Sequence, residues 1–104
     1  MKVVILDVCK KEIAGFPEEI LGEFVDAVAL LDEEVVLNMP LSKAMPSIGK
    51  NVHELRLKDR SGIYRVFYVF KKKDAIYVVH AFKKKTQKTT KKNINLVKQR
   101  IGRL

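Results

Sequence analysis

The chain has 104 residues, with 21 Lys+Arg against 12 Asp+Glu, for a formal net charge of +9. That length fits one domain, residues 1–104, and 47% hydrophobic against 32% charged residues is enough to form a core, which excludes a disordered chain. The charge is segregated: residues 1–48 hold 4 basic and 9 acidic side chains (net −5), whereas residues 49–104 hold 17 and 3 (net +14), a layout suited to a polyanion-binding face.

The longest apolar stretches, Val3–Leu6 and Ala27–Leu31, fall far short of the ~20 residues that a membrane span needs. No signal peptide is read at the N-terminus, whose apolar run is short and lacks a small-residue cleavage site. Cys9 is the single cysteine, so neither an internal disulfide nor a cysteine-based metal site is available. A cytoplasmic location, away from membranes, is expected.

In chain order, Lys2–Val8 reads as a buried strand, since only Asp7 breaks its apolar run. A turn follows at Ala14-Gly15. Pro17 at a first helical position, with Glu18 and Glu19 behind it, opens a helix. Ile20, Leu21, Phe24, Val25, Val28, Leu31 and Val35 form its apolar face, and Asn38 and Pro40 end it. Leu41–Asn51 is a connector with at most one helical turn. From Val52 the period falls to two. Val52–Lys58, Ile63–Phe70 and Ala75–Phe82 read as three strands of an antiparallel meander, with turns at Asp59–Gly62 and Lys71–Asp74. Thr89 or Thr90 caps a last helix whose Ile94, Val97, Ile101 and Leu104 share a face. The fold class is α+β: a meander with the first strand added at one edge, packed against helices.

Several chemistries are missing. There is no phosphate-cradling glycine loop, no dinucleotide fingerprint, no His pair at metal-ligand spacing and no serine in a nucleophile-elbow context. No cofactor and no metal are expected, so any catalysis falls to plain side chains. Arg56 and Lys58 lie on the polar face of the first meander strand. Arg65 interrupts the apolar second strand, on the face opposite Tyr64, Val66 and Tyr68. Burying it demands a partner, and a ligand or catalytic role is favoured over an ion pair with Glu54 or Asp59. The third strand runs out into Lys83, Lys84 and Lys85. Lys71–Lys73 reads as a solvated hairpin tip and Lys91-Lys92 as a solubilising pair. His80 has a side chain suited to proton transfer, although a lone strand histidine is more often structural. Phe82, just before the lysine run, is the best base-stacking candidate.

The segments His53-Glu54-Leu55-Arg56-Leu57, Ile63-Tyr64-Arg65-Val66-Phe67-Tyr68 and His80-Ala81-Phe82-Lys83-Lys84-Lys85-Thr86-Gln87-Lys88-Thr89 together resemble the RelE/ParE toxin superfamily, most closely its phage-derived Gp49-like, HigB-type branch. Thr90 stands where members often carry proline, and no tyrosine follows Tyr77 to serve as the C-terminal acid or base that some members use. The resemblance implies the toxin of a type II toxin–antitoxin pair: an mRNA interferase that works on the ribosome without metal, its RNA 2′-OH attacking the adjacent phosphorus. Carried over, the catalytic positions fall on Arg56, Arg65 and one of Lys83, Lys84 and Lys85, with His80 as a further candidate. Lys58, Arg60, Lys88, Lys91 and Lys92, together with Phe82, are then expected to hold mRNA and 16S/23S ribosomal RNA. The implied partner is an antitoxin of helix-turn-helix type. Two alternatives stay open: a ParE-like toxin acting on a protein such as gyrase, and a non-catalytic RNA- or DNA-binding module.

Overall fold

The computed structural model describes residues 1–71, 75–85 and 89–104. The elements run β1 (Lys2–Ile5), α1 (Asp7–Ala14), α2 (Glu18–Asp32), β2 (Ser42–Ala44), β3 (Val52–Asp59), β4 (Gly62–Lys71), β5 (Ala75–Lys84) and α3 (Lys91–Gly102). They build one mixed sheet in the order β1-β5-β4-β3-β2, with β1 parallel to β5 and every other pair antiparallel. The α+β meander and the added edge strand match the sequence reading.

Four elements differ from it. The apolar run of residues 2–8 is split: β1 stops at Ile5, and Asp7 and Val8 already belong to α1. Helix α1 has no side-chain cap and buries only Cys9 and Ile13, so its local signal is faint. Helix α2 ends at Asp32, before Val35. Glu34 turns left-handed (φ 64°), Val35 N–H donates to Leu30 O and Glu34 N–H to Leu31 O, a Schellman closure made without glycine. The connector Leu41–Asn51 contains β2, which pairs Ser42, Lys43 and Ala44 with Leu55, Glu54 and His53. The Ser42 and Tyr68 hydroxyls, 2.6 Å apart and both buried, hold it to the sheet. At the other end of the chain, Thr90 Oγ1 accepts from Asn93 N–H at 3.3 Å and caps α3. The β3–β4 turn needs glycine at Gly62 (φ 144°), and Asp59 accepts from the Ser61 N–H and hydroxyl.

Period-two alternation divides the sheet residues between two cores. Leu55, Leu57, Tyr64, Val66, Tyr68, Ile76 and Val78 face α1 and α2, meeting Ile13, Ile20, Phe24, Ala27 and Leu31. Val52, Phe67, Val69 and Val79 face the other way, onto Val97 of α3 and Ile48. Each large side chain so buried contributes roughly 1.5–3 kcal/mol.

The edge of β5 is completed by side chains. Strand β1 pairs with β5 only as far as Val78, where Leu6 N–H donates to Val78 O. Beyond that point, Glu12 Oε1 accepts the Ala81 N–H (3.1 Å), and Arg100 Nη1 donates to Val79 O (3.0 Å) and to Glu12 (2.8 Å). His80 Nδ1 lies 3.0 Å from both Glu12 oxygens, and its Nε2 lies 2.7 Å from Asn93 Oδ1. Burial alone would raise the Glu12 pKa, but hydrogen bonds from His80, Arg100 and the Ala81 N–H outweigh it and hold the group at about 2. A carboxyl depressed below its ordinary 4.5 stabilises the fold above that pH and loses the contribution as pH falls toward 2. Glu12→Gln should therefore cost about 2–3 kcal/mol at neutral pH. In urea titrations the gap between mutant and wild type should close between pH 4.5 and 2, and a gap independent of pH would contradict this account.

Candidate functional site

The strands β3, β4 and β5 place cations side by side in rows across the sheet. Arg56 on β3 lies directly opposite Arg65 on β4, and Arg65 lies opposite Phe82 on β5. One row further out, Lys58, Ile63 and Lys84 align in the same way. Both rows lie on the α3 side of the sheet, where α3 covers the hydrophobic part and leaves this part open.

A β-bulge decides which lysine joins them. Tyr68 pairs with Val78 and Phe67 with His80, so Val79 is the extra residue. Without it, simple alternation from Ile76 and Val78 would send Lys84 to the α1/α2 face and present Lys83 and Lys85 to the cleft. The bulge shifts the phase by one. Lys84 comes into line with Ile63 beside Arg65, while Lys83 pairs with Tyr64 and sets its Nζ 5.9 Å from the centre of that ring, on the opposite face.

Glu54 lies under this surface, 3% exposed. Its Oε1 is 3.2 Å from Arg56 Nε and 3.5 Å from Arg65 Nε, and its Oε2 accepts from the Thr89 hydroxyl at 3.1 Å. Two arginines directly opposite each other on neighbouring strands repel, and the carboxylate between them offsets that repulsion. Arg65, itself 7% exposed, is thus paired with Glu54 rather than Asp59. The pairing is incomplete: Arg65 Nε lies outside hydrogen-bonding geometry and is the buried side-chain polar atom left without a partner among the described residues. Burial pulls the Arg65 pKa below its usual value, Glu54 opposes that shift, and Arg56 adds to it. Lys84 is drawn down likewise, first by desolvation and then by the charges of Arg65, Arg56 and Lys43, with Glu54 opposing.

Two hollows flank this centre. One, of about 530 Å³, is lined by Arg56, Leu57, Lys58, Ile63 and Arg65 together with Pro40, Leu41 and Glu23. The other, of about 270 Å³, lies between the exit of β5 and the start of α3, lined by Phe82, Lys83, Lys84, Lys85, Thr90, Lys92 and Asn93. Arg56, Lys58, Arg65 and Lys84 therefore share one surface, with Phe82, Lys85 and Lys92 adjoining it. Arg60 is exposed in the β3–β4 turn and Lys91 on the first turn of α3, while Lys88 lies outside the described residues, as do Lys72 and Lys73 of the hairpin tip. His80, a sequence candidate for catalysis, is 3% exposed and committed to the Glu12–Asn93–Arg100 network beneath α3. The ring of Phe82 is half-buried and stacks on Phe67 and His80. Three participants carried no distinct sequence signal: Thr89, read as a possible cap, Lys43 on β2, and Glu23 on the acidic helix. Among the described residues no cluster of three metal-ligating side chains forms.

The lowered Lys84 pKa is directly measurable. In side-chain NMR titrations, the Lys84 ammonium should deprotonate below the ordinary lysine range, and Arg65→Ala should return it upward. A Lys84 that titrates at 10.5 in the wild type would contradict the geometry.

Comparison with known proteins agrees with this architecture. A double mutant of the E. coli toxin RelE, solved in the free state, superposes with a TM-score of 0.65 at 13% identity, covering 99% of this chain and 96% of that one. A crystal form of the isolated E. coli RelE toxin superposes with a TM-score of 0.57 at 16% identity, covering 94% and 96%. These likenesses show the fold. No curated protein sequence matches the chain. The profile of the phage-derived Gp49-like proteins matches residues 11–102, nearly the whole of the described sheet and all of α3, and the chain belongs to that family.

Proposed function

We propose that the protein is the toxin of a toxin–antitoxin pair and an endoribonuclease that cleaves mRNA on the ribosome. The observation that carries this reading is the convergence of Arg56, Arg65 and Lys84 over the buried Glu54, on the open half of a RelE-like sheet. The scissile phosphodiester sits against the two guanidiniums, whose forked donors match phosphate oxygens. As the 2′-oxygen attacks phosphorus, charge builds on the non-bridging oxygens, and fixed cations stabilise that state more than the ground state. The products are a 2′,3′-cyclic phosphate and a 5′-OH.

Proton transfer narrows to one side chain. His80 is enclosed under α3, and both Glu54 oxygens are engaged by Arg56, Arg65 and Thr89. Lys84 is half-buried among like charges and releases its proton more readily than an ordinary lysine. It therefore serves as the acceptor for the 2′-OH proton, an effect worth about 10²–10⁴-fold. The leaving 5′-oxygen takes its proton from solvent. Lys58, Arg60, Lys85, Lys91 and Lys92, with Lys88, hold the mRNA and ribosomal RNA backbone, and an antitoxin covers this face until release. Catalysis is thus assigned to the chain's own side chains.

Purified protein added to ribosomes programmed with a defined mRNA should yield cleavage within the A-site codon. Arg65→Ala and Lys84→Ala should each lower the rate by at least about 10²-fold, and a 2′-deoxy substitution at the cleaved nucleotide should abolish the cut. Intact mRNA after incubation with wild-type protein, or cell arrest by Arg65→Ala equal to wild type, would refute the assignment. Lys91→Ala with Lys92→Ala should instead weaken binding and flatten its salt dependence, leaving the rate at saturation unchanged.

A further inference from the structure

Nothing in the catalytic scheme above requires a buried anion under a site that binds an anion. A carboxylate there reduces the net attraction for phosphate, and burying it is costly. Its contacts explain its presence. Glu54 approaches both Arg56 and Arg65 at Nε rather than at their Nη atoms, of which Arg65 Nη1 donates to Tyr64 O at 3.5 Å, and its second oxygen holds Thr89. Three parts of the chain meet at this carboxylate: β3, which carries it and Arg56, β4 through Arg65, and the segment entering α3 through Thr89.

We propose that Glu54 is a positioning residue for RNA cleavage: its carboxylate clamps Arg56 and Arg65 into one preformed phosphate-binding unit and, through Thr89, locks that unit to the segment leading into α3. The proposal rests on the nuclease reading and deepens it. Glu54 itself touches no substrate, because it is 3% exposed and every oxygen is engaged. What the clamp supplies is geometry. An arginine flexing on four rotatable bonds beside a second, repelling arginine would reach the phosphate in many orientations, whereas one held beside the carboxylate, Arg56 by a hydrogen bond and Arg65 by a 3.5 Å ion pair, reaches it in few.

The clamp also sets the charge that Lys84 experiences. Lys84 faces Arg65 from β4, Arg56 and Glu54 from β3 and Lys43 from β2, and across the smaller hollow lie Lys85 and Lys92, while the Lys83 ammonium sits on the opposite face over Tyr64. Among these groups Glu54 is the one that favours the protonated lysine. Neutralising it without altering its shape separates a clamp that acts through charge from one that merely fills space.

The test uses the full chain with Glu54→Gln, Glu54→Asp and Thr89→Val, each assayed on programmed ribosomes across pH. Glu54→Gln should lower kcat by about 10²-fold with little change in KM. Its acid limb should move to lower pH, because Lys84 loses its supporting anion. Glu54→Asp keeps the charge but not the reach, so it should retain the wild-type limb and recover part of kcat. A Glu54→Gln enzyme with unchanged kcat and an unmoved limb would overturn the proposal. A second readout needs no activity: the Nε–H NMR signals of Arg56 and Arg65 should be distinct and slowly exchanging in the wild type and averaged in Glu54→Gln. Wild-type protein that cleaves nothing would remove the nuclease reading, and the arginine spectra would then decide the clamp alone. Identical spectra in wild type and Glu54→Gln would overturn it. Should Glu54→Gln fail to fold, Thr89→Val, which keeps both ion pairs and frees only Oε2, should still lower kcat about fivefold, and an unchanged kcat would overturn the link to α3.

Discussion

A sheet has two faces to cover, and here the helices cover them unequally. Helices α1 and α2 close one face with a continuous apolar layer. On the other face α3 is the one helix among the described residues, joined by Ile48 and Met45 of the connector. At 12 residues it is ~18 Å long, while β4 and β5, at 10 residues each, extend ~33 Å. A helix that short cannot shield the whole face, so the same strands must be apolar under α3 and polar beyond it. Strand β4 makes the change between Phe67, in the core, and Arg65, at the cleft. Everything charged about the site follows from that uncovered half.

The uncovered half is cationic, but it is not simply a surface of lysines. Lys58, Lys85, Lys91 and Lys92 are exposed, and the buried, ion-paired part is the small unit around Glu54. The β5 edge of the sheet carries a second, half-buried carboxylate, Glu12, that satisfies backbone and side-chain donors where β1 gives out. The two carboxylates do different work. Glu12 replaces a missing strand and closes the sheet edge against α3. Glu54 holds like charges together that would otherwise separate. In both places the anion meets arginine, Arg100 at Glu12 and Arg56 with Arg65 at Glu54, whose charge survives partial burial where lysine would lose its proton.

How much of this was legible in the sequence depends on how local each signal was. The meander is written in alternation that two turns punctuate, so β3, β4 and β5 are readable, as is the side of the sheet on which Arg65 lies. The α2 periodicity and the threonine cap of α3 are equally local. Helix α1 is not readable, because Val8 continues an apolar run and no capping residue marks Asp7 as a beginning. Strand β2 is three residues held by a hydroxyl pair to Tyr68, a contact 26 residues away in sequence. The choice of Lys84 over its neighbours was hidden for a sharper reason. It depends on one extra residue at Val79, and a bulge exists only relative to the partner strand. Thr89 was hidden likewise: its role is set by where Glu54 sits, and adjacency to a cap position pointed elsewhere. The larger part of the resemblance to RelE-type toxins lies in segments that are local, which is why the family was visible before the fold.

The lone cysteine gives the molecule a sensor of its own opening. Cys9 is wholly enclosed on the inner side of α1, next to Glu12 and Ile13, and burial, reinforced by the Glu12 charge, pushes its thiol up to about 12. A thiol in that state has almost no thiolate and no access to reagent, so alkylation can proceed only from molecules in which α1 has lifted from β5. Labelling speed therefore reports how often that corner opens, by local detachment or by global unfolding, which sets its slowest limit. With only one cysteine in the chain, the count carries no background.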